Sequence, residues 1–233
     1  MKVDLIAHTH VVYPGIEPHM PKMLDDWISS DADKLAEFAG RSCYQSFHKP
    51  NPKTATNPAY LANILEQGHE SVLEHSSATF YVTGVSRALT HELIRHRHLS
   101  FSELSQRFVN VEDAELVFPP ALANDVESQD DLIAAGAYAQ STYEEIVHRL
   151  LKAGLSRKQA REAARAVMPN ATETRIVVTG NMRAWRDVIT KRFSVHADAE
   201  IREFAGEVLR QLKLIAPGQF QDFPDKPFGS EEN

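Results

Sequence analysis

The chain has few of the residues that would tie it to a disulfide, a metal cluster or a membrane. Its 233 residues include one cysteine, Cys43, so no intrachain disulfide can form and no cysteine cluster could hold zinc or an iron–sulfur centre. No run of about 18 apolar residues is present, so the sequence predicts no membrane-spanning helix. The first residues, MKVDLIAHTH, lack a basic stretch followed by an apolar one. We therefore expect no signal peptide and a cytoplasmic location.

Phosphate-binding glycine loops are also missing. The ten glycines never fall in a GxGxxG pattern, and there is no P-loop, so a nucleotide cannot be held by either of these backbone turns. Any phosphate must then be bound by side chains. The net charge of −7 argues against a general nucleic-acid coat, because such proteins are normally basic.

Basic residues are concentrated in two segments of this acidic chain. Residues 157–192 contain nine Lys/Arg against three acids, and residues 86–107 contain four Arg and three of the eleven His. Such a distribution predicts a focused anion-binding site rather than a generally basic surface.

The predicted elements are mixed in type. Strand character is found at 3–9, 77–85 and 172–179. Cap and stop signals predict helices at 31–38, 58–67, 87–97, 132–153, 156–167, 181–193 and 198–214. Ser30 or Asp31 is the expected cap of the first, Gly40 lies past its end, and the acidic stretch 124–131 is predicted to be a linker. Prolines 14, 18 and 21 predict a loop, as does the composition of 49–57, while 101–107 is expected to be irregular and 108–118 extended. Strand–helix alternation is too sparse for a doubly wound sheet. We therefore expect an α+β fold, with an antiparallel sheet packed by long helices, in a single domain over 1–233 with a loose tail at about 217–233.

The segment 90–107, THELIRHRHLSFSELSQR, contains the most reactive side chains and allows three interpretations. HELIRH resembles the HExxH zinc motif, but the position four residues after His91 is the cation Arg95, which makes a zinc hydrolase a minor alternative. A solvated helix face is the second interpretation, although Arg95, His96, Arg97 and His98 are consecutive and would point in all directions around a helix. An anion site is the third, because guanidinium groups suit phosphates.

The same segment resembles the signature of the flavin-dependent thymidylate synthases, in particular those of actinobacteria. The signature is carried by Arg95, His96, Arg97, Ser100, Glu103, Ser105 and Arg107. The resemblance extends to GHESVLEH at 68–75, ARAVMPNATETR at 164–175, GNMRAW at 180–185 and the pair Arg192 and His196. Four separated blocks thus agree in order and spacing across most of the chain.

This resemblance implies a reaction and an assembly. Members of the family methylate dUMP to dTMP, with 5,10-methylenetetrahydrofolate as carbon donor, FAD as redox cofactor and NADPH as reductant. They are homotetramers whose active sites draw residues from several subunits. Binding to nucleic acid or to membranes is not expected. The conventional thymidylate synthase needs a cysteine nucleophile, and Cys43 has no histidine or acid close in sequence.

The resemblance also implies roles for individual residues. The dUMP contacts fall on Glu92, Arg95, Glu103, the Leu104 backbone, Ser105, Arg107 and Arg165. The flavin contacts fall on Ser71, Arg95, His96, Arg97, Glu103, Asn181, the Met182 backbone, Arg183 and Asp187. His69 and His196 are implied near the folate and the flavin. Arg192 matches the catalytic arginine at the pyrimidine edge, where a fixed cation lowers the energy of a developing anion. No metal site is implied.

The chain departs from the family pattern at two positions. Asp187 is an acid where many members have Asn or His, and Cys43 stands where some have a flavin-contacting Ser. Ser105 has no base to activate it as a nucleophile and is assigned to binding. The main alternative outside the family is a nucleotide- or RNA-binding module that uses the same arginines, which would bind nucleic acid in a salt-sensitive way and hold no flavin.

Overall fold

The computed structural model describes residues 1–19, 29–48, 51–111 and 114–230. Position 21, residues 49–50 of the predicted loop and residues 231–233 of the predicted tail lie outside these ranges. By their internal contacts the described residues form two compact units. Unit 1 contains those in 1–2, 81–95 and 101–177, and unit 2 contains those in 3–80, 96–100 and 178–230. The expectation of one domain stays a prediction.

Four strands form one antiparallel sheet in the order β1-β2-β4-β3. They are β1 (Lys2–His8), β2 (Ser77–Ser86), β3 (Ser100–Glu103) and β4 (Glu173–Asn181). In β2 and β4 every second side chain is buried, including Phe80, Val82, Ile176 and Val178, so one face of these strands packs against the interior. The α+β class and the three predicted strands are confirmed.

Strand β3 lies in a segment that the sequence predicts to be irregular. It is short and lies at an end of the sheet order, and at its end the Leu104 N–H donates to the Arg175 carbonyl at 2.9 Å. Alternate residues of β3 are exposed, which explains its polar composition. An edge strand of this kind is stabilised by its neighbour rather than by its own propensity.

Eight helices precede, separate and follow these strands along the described part of the chain. They are α1 (Tyr13–Ile16), α2 (Asp31–Tyr44), α3 (Asn57–Glu66), α4 (Arg87–Leu93), α5 (Val126–Lys152), α6 (Arg157–Ala164), α7 (Met182–Arg192) and α8 (Ala199–Ile215). Helix α1 falls in the predicted proline loop, and α5 begins inside the predicted linker, where Asp125 accepts the N–H of Ser128 as its cap. The 3₁₀ turns are Pro52–Thr54, Glu70–Glu74, Pro120–Leu122, Arg165–Val167 and Pro217–Phe220.

Helix α2 is longer than predicted because Gly40 does not end it. The Ser30 side chain caps its start as expected, but its C-cap is Gln45, in the left-handed conformation with φ 48°. A Cβ at position 40 would overlap the Tyr60 hydroxyl. Gly40 is therefore required by a close approach between α2 and α3, and not by a helix stop.

Helix α4 is shorter than predicted and ends at Leu93. The Arg95 N–H donates to the Glu92 carbonyl at 3.3 Å, and the Leu99 N–H donates to the His96 carbonyl at 3.2 Å. These turns replace the helix expected up to residue 97. The argument that four consecutive basic side chains surround a helix was therefore wrong, since they lie on a turn.

Residues 217–230, which include most of the predicted loose tail, make packing and hydrogen-bond contacts within unit 2. Phe220 is fully buried and Phe223 is 6% exposed. Asp222 accepts two hydrogen bonds of 2.7 Å from Arg186, and the Phe228 carbonyl accepts the Val195 N–H at 3.0 Å. This stretch is part of unit 2, built around α7 and α8.

Candidate functional site

The implied site residues divide between the two units. The whole dUMP set lies in unit 1, and the flavin set lies in unit 2 except for Arg95 and Glu103. Arg192, His69 and His196 also lie in unit 2.

In unit 1, Glu103 is the centre of a hydrogen-bond cluster. Its Oε1 accepts from Arg87 Nη1 at 2.9 Å and from the Thr90 and Thr174 hydroxyls, both at 3.1 Å. Thr90 and Thr174 are buried. Three donors that converge on one oxygen fix the orientation of the Glu103 carboxylate at the end of β3.

The segment after Glu103 is a tight turn that presents Ser105 and Arg107. The Ser105 carbonyl accepts the N–H groups of Phe108, at 3.1 Å, and Val109, at 2.9 Å. The Leu104 N–H is already bound to Arg175, so a ligand contact by the Leu104 backbone would have to use its carbonyl. Arg107 is exposed and lies 3.8 Å from Glu162, a distance at which the ion pair holds it weakly.

Helix α6 faces this turn with further cations. Lys158 Nζ lies 5.1 Å from the centre of the Phe108 ring, and Arg107 lies 5.9 Å from it. Arg161 donates to the Phe108 carbonyl at 2.6 Å. Arg165 is exposed at the start of the 3₁₀ turn that follows α6. Unit 1 thus collects cationic donors around one exposed turn, which is a suitable arrangement for a phosphate.

Sequence reasoning missed Arg87, Thr90 and Thr174 in this unit. They contact Glu103 from 16, 13 and 71 positions away. No local spacing predicts these contacts, and only the count of basic residues in 86–107 pointed toward Arg87.

In unit 2, His96 joins Asp187 and Arg192. Arg192 Nε donates to His96 Nε2 at 3.0 Å, and His96 Nδ1 lies 3.4 Å from Asp187 Oδ2. The His96 side chain is 6% exposed. A guanidinium can only donate, so Nε2 must be the acceptor and the ring proton must be on Nδ1, where it is shared with Asp187. The geometry therefore assigns a neutral His96 of the Nδ1–H tautomer.

The electrostatics of this group agree with that assignment. Burial lowers the pKa of His96, and the neighbouring Arg192 lowers it further. Burial would raise the pKa of Asp187, but its hydrogen bond with Lys191 and the charge of Lys191 bring it below its ordinary value. Lys191 Nζ lies 2.6 Å from Asp187 Oδ1. Sequence reasoning missed Lys191, although its position four residues after Asp187 on α7 could have revealed it.

The start of α7 lines a cleft of about 610 Å³. Asn181 caps the helix by accepting the Ala184 N–H at 2.8 Å, so a ligand contact by Asn181 would use its amide nitrogen. The Met182 N–H donates to the Ser76 carbonyl at 3.0 Å and is not left for a ligand. Arg183 is held by Glu74 at 2.5 Å and lies 3.8 Å from Glu70. The cleft is lined by Glu70, Glu74, His98, Asn181, Arg183, Ala184, Arg186, Asp187 and Thr190.

The remaining implied residues of unit 2 are exposed: Ser71, Arg97, His69 and His196. Ser71 lies in the 3₁₀ turn Glu70–Glu74 that supplies two acids of the cleft, and His69 is the N-cap residue of that turn. The backbone N–H of His196 donates to the Ser194 hydroxyl at 3.3 Å. The structure thus gathers His96, Asp187 and Arg192 into one group and Asn181, Arg183 and Asp187 into one cleft.

Two further observations concern the whole described chain. Among the described residues there is no group of three or more His, Cys, Asp or Glu side chains that could hold a metal ion. Within the same residues, no helix combines the length and the apolar character needed to span a membrane.

Comparison with known proteins assigns the chain to a family. The model of the family described as "Thymidylate synthase complementing protein" matches residues 22–218. Three proteins named flavin-dependent thymidylate synthase are similar over 96% of this chain and 90% of their own length: those of Mycobacterium avium strain 104 at 55% identity, Mycobacterium marinum at 53% and Mycobacterium tuberculosis strain H37Rv at 54%. Together with the match over most of the chain, these identities show that the chain belongs to the flavin-dependent thymidylate synthase family.

Proposed function

We propose that this enzyme of thymidylate synthesis converts dUMP to dTMP, with 5,10-methylenetetrahydrofolate as carbon donor, FAD as redox cofactor and NADPH as reductant. Family membership and the names of its relatives support the general reaction. The single structural observation that carries the proposal is the Arg192–His96–Asp187 group, in which a cation is held by a buried neutral imidazole. We also propose a cytoplasmic homotetramer, as the resemblance to the family implies.

The proposed substrate contacts lie around the turn of unit 1. Ser105, Arg107 and Arg165 would hold the phosphate of dUMP, since hydroxyl and guanidinium groups suit it and no glycine loop is available. Glu92 and Glu103 would accept hydrogen bonds from the nucleotide, with Arg95 beside them. Glu103 already accepts three protein donors through Oε1, which leaves Oε2 as the atom to face a ligand.

Arg192 is the proposed catalytic residue. Formation of a carbon–carbon bond at the pyrimidine ring requires negative charge to develop on that ring. A fixed guanidinium beside the ring stabilises the developing anion, and its effect is larger where water is excluded. Arg192 is half-buried, and its contact with the buried His96 fixes its orientation.

The residues of unit 2 fit a flavin nucleotide in their donor and acceptor chemistry. The lining of the cleft combines Arg183 and His98, which can bind phosphate or ring acceptors, with Glu70, Glu74 and Asp187, which can accept from hydroxyl or ring N–H groups. Ser71, Arg97, Arg183 and the amide nitrogen of Asn181 would hold the cofactor. The two ring nitrogens of His96 are engaged by Arg192 and Asp187, so a cofactor contact by His96 would use its backbone. When bound, FAD would supply the redox chemistry, passing hydride from the reductant to the one-carbon unit. His69 and His196 are proposed to lie near the folate and the flavin.

The test is an absorbance spectrum of the purified protein, followed by anaerobic addition of NADPH with and without dUMP. A flavin spectrum that bleaches with NADPH, and whose position or rate of reduction responds to dUMP, is the expected result. A protein that cannot be reconstituted with FAD and ignores dUMP would refute the proposal. Salt-sensitive binding of RNA without flavin would favour the binding-module alternative, and activity lost to a chelator would favour a zinc hydrolase.

A variant pair makes this test specific. Arg107→Met removes one proposed phosphate contact and should weaken the response to dUMP by about 10- to 100-fold, the value of a charged hydrogen bond. The flavin spectrum of this variant should still bleach when NADPH is added alone. Arg149→Met is the matched control, because Arg149 is also exposed and is paired with an acid, Glu145, at 3.6 Å. Equal responses of the two variants to dUMP would remove Arg107 from the substrate site.

A further inference from the structure

We propose that Asp187 and Lys191 are positioning residues for Arg192, acting through the tautomer of His96. This inference rests on the proposed function, in which Arg192 contacts the pyrimidine. The contacts form one chain within unit 2: Lys191 to Asp187 at 2.6 Å, Asp187 to His96 at 3.4 Å and His96 to Arg192 at 3.0 Å. The first two residues of this chain are partly exposed, and His96 is buried.

The bond between Arg192 and His96 exists only while His96 is neutral. A doubly protonated imidazole carries a proton on each nitrogen, so Nε2 would present an N–H to the N–H of Arg192. Two donors and two positive charges would then face each other, and the guanidinium would turn away. Protonation of His96 therefore removes this contact, which is one of those that orient Arg192.

Asp187 and Lys191 influence this protonation in opposite directions. Asp187 accepts the Nδ1 proton and so selects the correct tautomer, but its negative charge also favours a second proton on His96. Lys191 holds the other carboxylate oxygen and offsets that charge. The two charges act on the pKa of His96 accordingly: Asp187 raises it, and Lys191 lowers it.

The other charged groups around His96 are few. Arg192 lowers its pKa from the same helix, α7. Arg97 and His98 adjoin it in sequence and are exposed, which reduces their effect because water screens it. The protonation of His96 can therefore be changed by substituting Asp187 or Lys191, which are partly exposed, without disturbing the core.

The first test follows His96 directly, by NMR titration of the full-length protein labelled with ¹⁵N-histidine. The His96 signals are assigned by their loss in His96→Gln. Wild type should show the pattern of the Nδ1–H tautomer at about pH 8, above the ordinary histidine pKa. Lys191→Met should move the His96 titration to higher pH, and Asp187→Asn should move it to lower pH. This readout needs neither flavin nor activity, so it separates failure of the positioning role from failure of the proposed reaction.

The second test follows the pH dependence of kcat/KM for dUMP. Lys191→Met should move the acid limb of the profile to higher pH, in step with its NMR titration. Asp187→Asn should move the limb to lower pH and lower kcat by about fivefold, the value of one ordinary hydrogen bond. Arg149→Met, which breaks another exposed pair at i,i+4 spacing, should move neither.

Three results would overturn the inference. One is a His96 signal with the proton on Nε2 in the wild-type protein. Another is a shift of the titration in the same direction for Lys191→Met and Asp187→Asn. The third is a disagreement between the two tests. If both variants shift the NMR titration of His96 as expected but leave the acid limb of the kcat/KM profile unchanged in active enzyme, His96 titrates without any effect on Arg192.

Discussion

The buried carboxyl of Asp33 should make the stability of the protein fall as the pH rises from acid to neutral. Asp33 is 1% exposed, and burial raises its pKa from 3.8 to about 6, even though it accepts the N–H groups of Gly218 at 2.9 Å and Gln219 at 3.1 Å. Between these two pH values the unfolded chain releases the proton and the folded chain keeps it. The unfolded state is favoured by that release, so the stabilising contribution is complete below about pH 4 and is lost as the pH passes 6.

The size of this effect follows from the shift. A difference of about 2 pKa units corresponds to about 3 kcal/mol of unfolding free energy at 1.36 kcal/mol per unit. Asp33→Asn cannot ionise and removes the pH dependence. Because an amide has one oxygen acceptor where the carboxylate has two, one of the two backbone N–H groups loses its partner, at a pH-independent cost of about 1–3 kcal/mol.

The assay is urea unfolding of wild type and Asp33→Asn across about pH 4 to pH 7. Wild type should be the more stable protein at acid pH, and its advantage should shrink by about 2–3 kcal/mol by neutral pH. Asp31→Asn serves as a control whose difference from wild type should stay constant across this range. Burial would raise the pKa of Asp31, but its hydrogen bonds with Tyr13, Val11 and His10 lower it, so its contribution is lost only below about pH 4. A constant difference between wild type and Asp33→Asn would refute the reasoning.

Three further substitutions test the packing, each by the midpoint of denaturant unfolding. Gly40→Ala should destabilise by about 1–2 kcal/mol, because overlap with the Tyr60 hydroxyl outweighs the gain in helix propensity, and addition of Tyr60→Phe should recover most of the loss. Arg186→Met should cost about 1–3 kcal/mol, since it removes two charged hydrogen bonds to Asp222, whose side chain is 45% exposed and can be solvated; an unchanged midpoint would contradict this. Glu103→Gln should cost about 1–2 kcal/mol through the weakened bond from Arg87, and an unchanged midpoint would show that this bond adds nothing.

Helix starts could be predicted from sequence more accurately than helix ends. Ser30, Ser86 and Asn181 each accept a backbone N–H three residues ahead, and this chemistry depends only on neighbours in the chain. Ends depend on contacts with distant residues. Gly40 looked like a stop, but the residue that explains it is Tyr60, on another helix.

The candidate site could be predicted only where resemblance supplied the residues. His96 contacts Asp187 and Arg192 across 91 and 96 positions, and no pattern in composition or spacing joins residues so far apart. The resemblance did not supply Lys191, whose pairing with Asp187 is a local feature of α7. The resemblance therefore supplied His96, Asp187 and Arg192, whereas Lys191 could have been found only from its local spacing.

The end of helix α4 at Leu93 explains how three consecutive basic residues can coexist in this site. On a continued helix, Arg95, His96 and Arg97 would lie at about 100° intervals around the axis, and burial of one would draw its neighbours toward the interior. On the turn, His96 is buried while both arginines are exposed. Burial in turn favours the neutral imidazole, which removes one of the three charges and supplies the acceptor that Arg192 needs. The helix stop, the loss of charge and the orientation of Arg192 are thus linked steps, so a substitution that extended α4 through this turn should disturb all three together.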